Sequence, residues 1–99
     1  KPICSSLRDD QEKTTPLALR AGHECRIMAL CDADCSDLDI VVTDPSGTEV
    51  GSDTGLNDAP IVGFRVEEDG EYTVRVRMEA CHTEPCYYGI AAFGMWAGR

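Results

Sequence analysis

Six cysteines in a chain of 99 residues constrain this sequence more than any other feature. Thiols stay reduced in the cytosol, whereas a dense and even set in an oxidising compartment forms a disulfide framework. No C-x-x-C motif occurs, which argues against paired zinc knuckles and against a thioredoxin-type redox site. We therefore expect disulfides. The two pairs of cysteines that are close in sequence should each form a local bridge, and the two remaining cysteines should pair with each other. The predicted bridges are Cys31–Cys35, Cys81–Cys86 and Cys4–Cys25.

A disulfide framework predicts a secreted protein, extracellular or periplasmic. The chain begins at Lys1 and has no apolar run long enough to span a membrane, which fits a processed exported protein or an excised domain. Its 18 acidic and 9 basic residues give a net charge of −9. Nucleic acids and anionic membranes are bound through cationic side chains, so neither is an expected partner. An acidic surface suits solubility, a divalent cation or a basic partner.

Short apolar stretches with a two-residue alternation recur along the chain, and no helical periodicity interrupts them. The clearest is Tyr72–Met78, where apolar residues alternate with threonine and arginine. The segment Cys25–Cys31 predicts a strand buried largely on both faces. Asp44-Pro45-Ser46-Gly47 is typical of a β-turn. The predicted fold class is therefore all-β, an antiparallel β-sandwich or barrel of about seven or eight strands stapled by disulfides.

The first fifteen residues are polar and charged and offer little to bury. We expect residues 1–15 to form an N-terminal arm and residues 16–99 to form one β-sandwich domain. The segment Phe93–Trp96 is unusually apolar for a tail. We expect it to cover the core, and the alternative is that it docks into another copy of the chain.

Strand direction predicts where the acidic loops lie. Because successive antiparallel strands alternate in direction, the loops within residues 31–37, 52–59 and 81–86 should meet at one end of the sandwich. Crowded carboxylates are the ligands that calcium prefers, so we predict a calcium site there, and no other cofactor. The alternative is that these aspartates cap their own turns. The predicted ligands are Asp37 and Asp53, then Asp58, Asp32 and Asp34, with Glu84 nearby.

Several spaced motifs, in the same order, resemble bacterial domains of the pre-peptidase C-terminal type. They are the run from Cys31 to Ile40, Asp44-Pro45-Ser46-Gly47, the acidic loop ending in Asp58-Ala59-Pro60, the strand from Gly70 to Val76 and Cys86-Tyr87-Tyr88-Gly89. The resemblance covers about residues 17–93. It implies a secreted, jelly-roll-like β-sandwich of a kind often appended to exported enzymes. Some members of that family bind calcium or polymers such as collagen.

Two patterns associated with catalysis lack the rest of a site. Asp53-Thr54-Gly55 is the triplet of aspartic proteases, but it stands in a polar loop without the apolar strands that would bury two aspartates sharing a proton. His23 and His82 fall at opposite ends of the predicted sandwich, and no Gly-x-Ser-x-Gly elbow occurs. We therefore expect no enzyme activity and no catalytic residue, with a hydrolase as a remote alternative.

The sequence as a whole predicts a non-catalytic module with a binding or structural role outside the cell, stabilised by calcium. Its expected partners are other copies of itself or an extracellular protein or polymer. The alternative is a subunit of an extracellular filament whose copies join by strand addition.

Overall fold

The computed structural model describes residues 3–56 and 58–96, which form eight β-strands and no helix. All strand pairs are antiparallel, which confirms the predicted all-β class. None of these residues forms an apolar helix long enough to cross a membrane. The strands are β1 Ile3–Leu7, β2 Glu12–Leu19, β3 His23–Cys31, β4 Cys35–Thr43, β5 Glu49–Asp53, β6 Ile61–Arg65, β7 Gly70–Cys81 and β8 Cys86–Trp96.

The strands form two four-stranded sheets that pack face to face. The first sheet has the order β1-β8-β3-β6, and the second has the order β2-β7-β4-β5. Each strand places alternate residues on the core side, as the pleat requires. Ile27 of the first sheet and Leu38, Ile40 and Val76 of the second are completely buried in that core. The burial of these apolar side chains is the main stabilising contribution to the sandwich.

The turn predicted at residues 44–47 is confirmed. The Gly47 amide donates to the Asp44 carbonyl at 2.9 Å, and Gly47 has a φ of +91°, where a residue with a side chain is strained. One Asp44 carboxylate oxygen accepts bonds from the Ser46 amide at 3.0 Å and the Thr48 amide at 2.9 Å. The Ser46 hydroxyl donates to the same oxygen at 2.7 Å, and this bond, followed by the amide bonds, stabilises the ionised form and lowers the pKa of Asp44.

The N-terminal segment differs from the predicted arm. Ile3–Leu7 pairs with β8, and Glu12–Leu19 pairs with β7, so both strands lie at the edges of the sandwich. An edge strand has one unpaired side that is open to solvent, so polar and charged side chains are common there. Leu7 is buried, and most of the other residues in these two strands are exposed or half-buried. The polar composition that suggested an arm therefore belongs to two edge strands.

The strand over Cys25–Cys31 also differs from its prediction. Cys25, Ile27 and Ala29 face the core, whereas Met28 and Leu30 point outward and are exposed. This strand is therefore buried on one face only, and its apolar outward side chains form part of the molecular surface.

Candidate functional site

The three acidic loops lie at one end of the sandwich, as strand direction predicts. The loop after β3 is bonded to the loop after β7, since the His82 amide donates to the Asp34 carbonyl at 2.7 Å. The loop after β5 reaches the same end, where the Cys31 amide donates to the Asp58 carbonyl at 3.2 Å. His23 begins β3 at the opposite end, so the two histidines are far apart.

Two of the predicted ligands, Asp32 and Asp53, bond to the backbone around them. The Asp32 carboxylate accepts from the amides of Asp34 at 3.1 Å and Tyr87 at 3.0 Å. The Asp53 carboxylate accepts from the amides of Gly55 at 3.3 Å and Ile61 at 3.0 Å. Both side chains thus hold loops in place. Because the Gly55 amide donates to the Asp53 carboxylate, the triplet Asp53-Thr54-Gly55 forms a turn closed by its own aspartate.

Asp37 lies apart from these loop aspartates, on the outer side of β4. Asp37 and Asp39 are both buried, and in each the Oδ1 atom has no hydrogen-bond partner among residues 3–56 and 58–96. Burial, which contributes most, and the neighbouring carboxylates of Asp37 and Glu79 together raise the pKa of Asp39 to about 6. Arg77 faces Asp39 in the β4–β7 ladder. Its guanidinium nevertheless binds Glu79 and Asp10.

The Arg77 side chain pairs with acidic residues on its own strand and at the start of the chain. Its Nε atom lies 2.6 Å from the Glu79 carboxylate, and its other nitrogens contact Asp10 and, at 3.7 Å, Glu12. These partners raise the pKa of Arg77, most strongly through the bond to Glu79. In the part of the chain that the structure describes, Asp39 consequently has no salt bridge that would offset its negative charge.

Within residues 3–56 and 58–96, no group of three or more histidine, cysteine, aspartate or glutamate side chains is arranged to hold a metal ion. Asp34 and Asp58 are exposed in their loops, whereas Asp37 is buried on β4. Calcium binding at this end therefore stays a prediction, as does the resemblance to pre-peptidase C-terminal domains.

Two of the three predicted disulfides are present. Cys31–Cys35 joins β3 to β4, and Cys81–Cys86 joins β7 to β8. Disulfides persist in oxidising compartments, which indicates a secreted or periplasmic protein.

The predicted Cys4–Cys25 bridge is wrong, and both thiols are free. Cys4 faces Gly89, and Gly89 in turn faces Leu30, so Cys4 is level with Leu30 of β3. Cys25 is five positions away along β3, or about 17 Å at about 3.4 Å per residue. Cys25 is also buried in the core, whereas Cys4 is exposed. A disulfide needs Cα atoms about 4.4–6.8 Å apart, so this arrangement forbids one.

The outer face of the first sheet is unusually apolar for a surface. Five large hydrophobic side chains lie there, each from 42% to 62% exposed. They are Met28, Leu30, Ile61, Tyr87 and Phe93. The register places them on neighbouring strands, with Met28 facing Ile61 on one side and Ala91 on the other. We call this set, together with Gly89 and Ala91, the apolar face.

Small residues of β8 open a groove along the middle of the apolar face. Gly89 and Ala91 form its floor, and Met28, Leu30 and Phe93 stand along its sides, enclosing about 320 Å³. A second shallow groove of about 600 Å³ continues from Leu30 and Gly89 across Tyr87 to Cys4 on β1. Contiguous apolar surface of this kind marks interaction sites in soluble proteins.

The second sheet presents a different outer face. The outward side chains of β7 include Glu71, Arg75, Arg77 and Glu79, and those of β2 include Glu12. The outer face of the second sheet is therefore charged. The outer face of the first sheet is apolar around Met28 and Leu30 and carries the exposed charged residues Glu24, Arg26 and Arg65 towards the end where β3 begins. The apolar part gains most from excluding water against a partner.

Sequence reasoning missed the apolar face because each strand was considered alone. A strand with apolar residues at every position has the same pattern whether both of its faces are buried or one is exposed. A usable signal was nevertheless present. On β8 the core-facing residues alternate with a second set that is also apolar, namely Tyr87, Gly89, Ala91 and Phe93. Because this second set cannot face the same core, its apolar character indicates an apolar surface on the other side of the sheet.

The fold and the site together define a disulfide-linked, eight-stranded antiparallel β-sandwich that exposes one apolar sheet face. The chain is similar in fold to PliG of Aeromonas hydrophila, a periplasmic lysozyme inhibitor of g-type lysozyme, whose crystal structure superposes on it with a TM-score of 0.59. The match covers 94% of this chain and 85% of that chain at 14% sequence identity, and it shows a shared fold. No family model and no curated protein sequence matches the chain.

Proposed function

We propose that the chain is a secreted, non-catalytic binding module that holds another extracellular protein against its apolar face. The observation that carries the proposal is the concentration of Met28, Leu30, Ile61, Tyr87 and Phe93 on one outer sheet face, opposite a charged one. Exposed aromatic, methionine and aliphatic side chains around a groove are typical of the centre of a protein–protein interface.

The surroundings of the apolar face favour a basic partner. Asp32 adjoins Leu30 in the shallow groove, and the exposed Asp34 and Asp58 lie on the neighbouring loops. The chain as a whole carries a net charge of −9. Complementary charge at the rim of an interface speeds association and selects the partner, while the apolar centre supplies most of the affinity.

The structural neighbour suggests a first partner to test. PliG is described as an inhibitor of g-type lysozyme, and its fold covers nearly the whole of this chain. We therefore propose a g-type lysozyme as the partner, bound without any reaction catalysed by this chain.

The test is binding of the oxidised chain to a purified g-type lysozyme by biolayer interferometry, together with the rate of cell-wall lysis. Leu30→Asp places a charge in the groove and should weaken binding at least tenfold, or about 1.4 kcal/mol. The matched control is Leu56→Asp, because Leu56 is 92% exposed and lies outside the apolar face. Equal binding by both variants would contradict the apolar face as the site. A wild-type chain that neither binds nor inhibits would exclude the lysozyme.

A further inference from the structure

The edge strand β1 has few of the features that usually protect a sheet edge, although the ammonium group of Lys13 on β2 donates to the Ser5 hydroxyl at 3.0 Å. Its residues Ile3–Leu7 include no charged side chain and no proline, and only one of its sides is paired, with β8. Charged residues, proline and bulges normally discourage an edge strand from pairing with another chain. An unprotected edge offers its free backbone N–H and C=O groups to a further strand.

The other three edge strands of the described chain carry such features. β2 contains Pro16 and two charged residues at its start, and β6 ends in Arg65. β5 is bounded by Glu49 and Asp53, and its pairing with β4 contains a register shift. The contrast singles out β1 as the edge that is open to pairing.

Cys4 is exposed in the middle of this edge strand and has no partner within its own chain. Cys25 is buried about 17 Å away along the sheet by strand spacing, while the other four cysteines are already joined. An exposed thiol in a compartment that forms disulfides is readily oxidised, and an unmatched cysteine there indicates pairing between chains.

We propose that two copies of the chain join through antiparallel pairing of their β1 strands about a two-fold axis, and that a disulfide links Cys4 of one copy to Cys4 of the other. On such an axis a residue faces its own counterpart. Facing residues in antiparallel strands have Cα atoms about 4.5–5.5 Å apart, within the range of about 4.4–6.8 Å that a disulfide accepts.

This pairing would make one eight-stranded sheet from the two first sheets. The order of strands across it is β6-β3-β8-β1, followed by β1-β8-β3-β6 of the second copy. Because Cys4 borders the shallow groove with Tyr87 and Gly89, the two apolar faces become continuous across the axis. The inference does not depend on the proposed lysozyme partner, since the large apolar side chains remain accessible in the pair.

The bond forms by thiol–disulfide exchange with a small disulfide such as oxidised glutathione. The thiolate of one Cys4 attacks the small disulfide, giving a mixed disulfide and one small thiolate. The thiolate of the second Cys4 then attacks the Cys4 sulfur and releases the second small thiolate. The two protons lost by the cysteines are taken up by the two small thiolates, so the small disulfide is reduced as the cysteine pair is oxidised.

The test uses the full chain equilibrated in oxidised and reduced glutathione, analysed by light scattering after size exclusion and by non-reducing peptide mapping. We expect a dimer whose cross-linked peptide joins Cys4 to Cys4. Cys4→Ser should abolish the cross-link, whereas Cys25→Ala, the control cysteine variant, should keep it. Lysozyme binding is measured separately on the Cys4→Ser chain, so failure of this inference is distinguishable from failure of the proposed function.

Hydrogen exchange distinguishes a dimer whose β1 strands are paired from a dimer held only by a flexible disulfide. If β1 pairs with β1, its edge amides should exchange at least about tenfold more slowly in the oxidised wild type than in the Cys4→Ser chain. A monomer under oxidising conditions would overturn the proposal. So would a Cys4 that carries only glutathione, or a cross-linked dimer whose β1 amides are unprotected.

Discussion

Replacing Asp39 with asparagine should stabilise the protein at neutral pH. Asp39 is only 9% exposed, and its neighbours Asp37 and Glu79 are acidic, while the guanidinium of Arg77 is held by other partners. These surroundings raise its pKa from 3.8 to about 6. A difference of this size corresponds to about 3 kcal/mol, the free energy spent on keeping the carboxylate ionised in the folded state. Asparagine keeps the shape of the side chain and removes the charge.

The dependence on pH follows from the direction of the pKa change. Because the folded pKa of Asp39 lies above the unfolded one, the folded state binds more protons between about pH 4 and about pH 6. The contribution of this residue to stability is therefore fully present below about pH 4 and is lost as the pH rises through about 6. The gain from Asp39→Asn should accordingly be close to zero at low pH and should approach about 3 kcal/mol at pH 7.5.

The measurement is urea unfolding of both chains at several pH values, without reductant, so that the disulfides stay closed. Asp44→Asn is a control of opposite sign, because hydrogen bonds from Ser46 and Thr48 lower the pKa of Asp44 and its ionised form is the favoured one. That variant should lose stability at neutral pH. An Asp39→Asn chain no more stable than the wild type at pH 7.5, or a difference that does not change with pH, would refute the account of the carboxylate cluster.

Removing the Cys31–Cys35 disulfide by a double change to alanine should cost about 2 kcal/mol by the chain-entropy estimate for a short loop, measured as a lower urea midpoint. A double variant as stable as the wild type would show that the bridge does not restrict the unfolded chain. If calcium binds at the acidic end, a thermal melt in calcium should have a higher midpoint than one in chelator, because a ligand of the folded state stabilises it. The difference should be smaller in an Asp37→Asn, Asp53→Asn chain, and equal wild-type midpoints would count against the site.

The fold was predictable where a local pattern sufficed. Tyr72–Met78 alternates because each position of that strand faces either the core or solvent, and the structure has the same alternation. The two short disulfides were predictable because their cysteines flank the tight connections between strands. The location of the acidic loops followed from strand direction alone.

The rest depended on pairings between distant parts of the chain. Ile3–Leu7 is a strand because β8 pairs with it, and nothing in its own pattern indicates this. The separation of Cys4 from Cys25 is set by the order of strands in the sheet. Whether Arg77 pairs with Asp39 depends on its other partners, which are Glu79 on its own strand and Asp10, which is far away in sequence.

The placement of the two disulfides has a mechanical consequence. Cys31–Cys35 and Cys81–Cys86 each join one sheet to the other, and Cys35 faces Cys81, so both bridges lie side by side at one end. The turns at the far end are held by packing and hydrogen bonds alone. We therefore expect the two sheets to separate first at the far turns, while the bridged end stays closed. Leu30 directly precedes Cys31 and so lies next to the bridged end. We expect it to keep its position while the turns at the opposite end open and close.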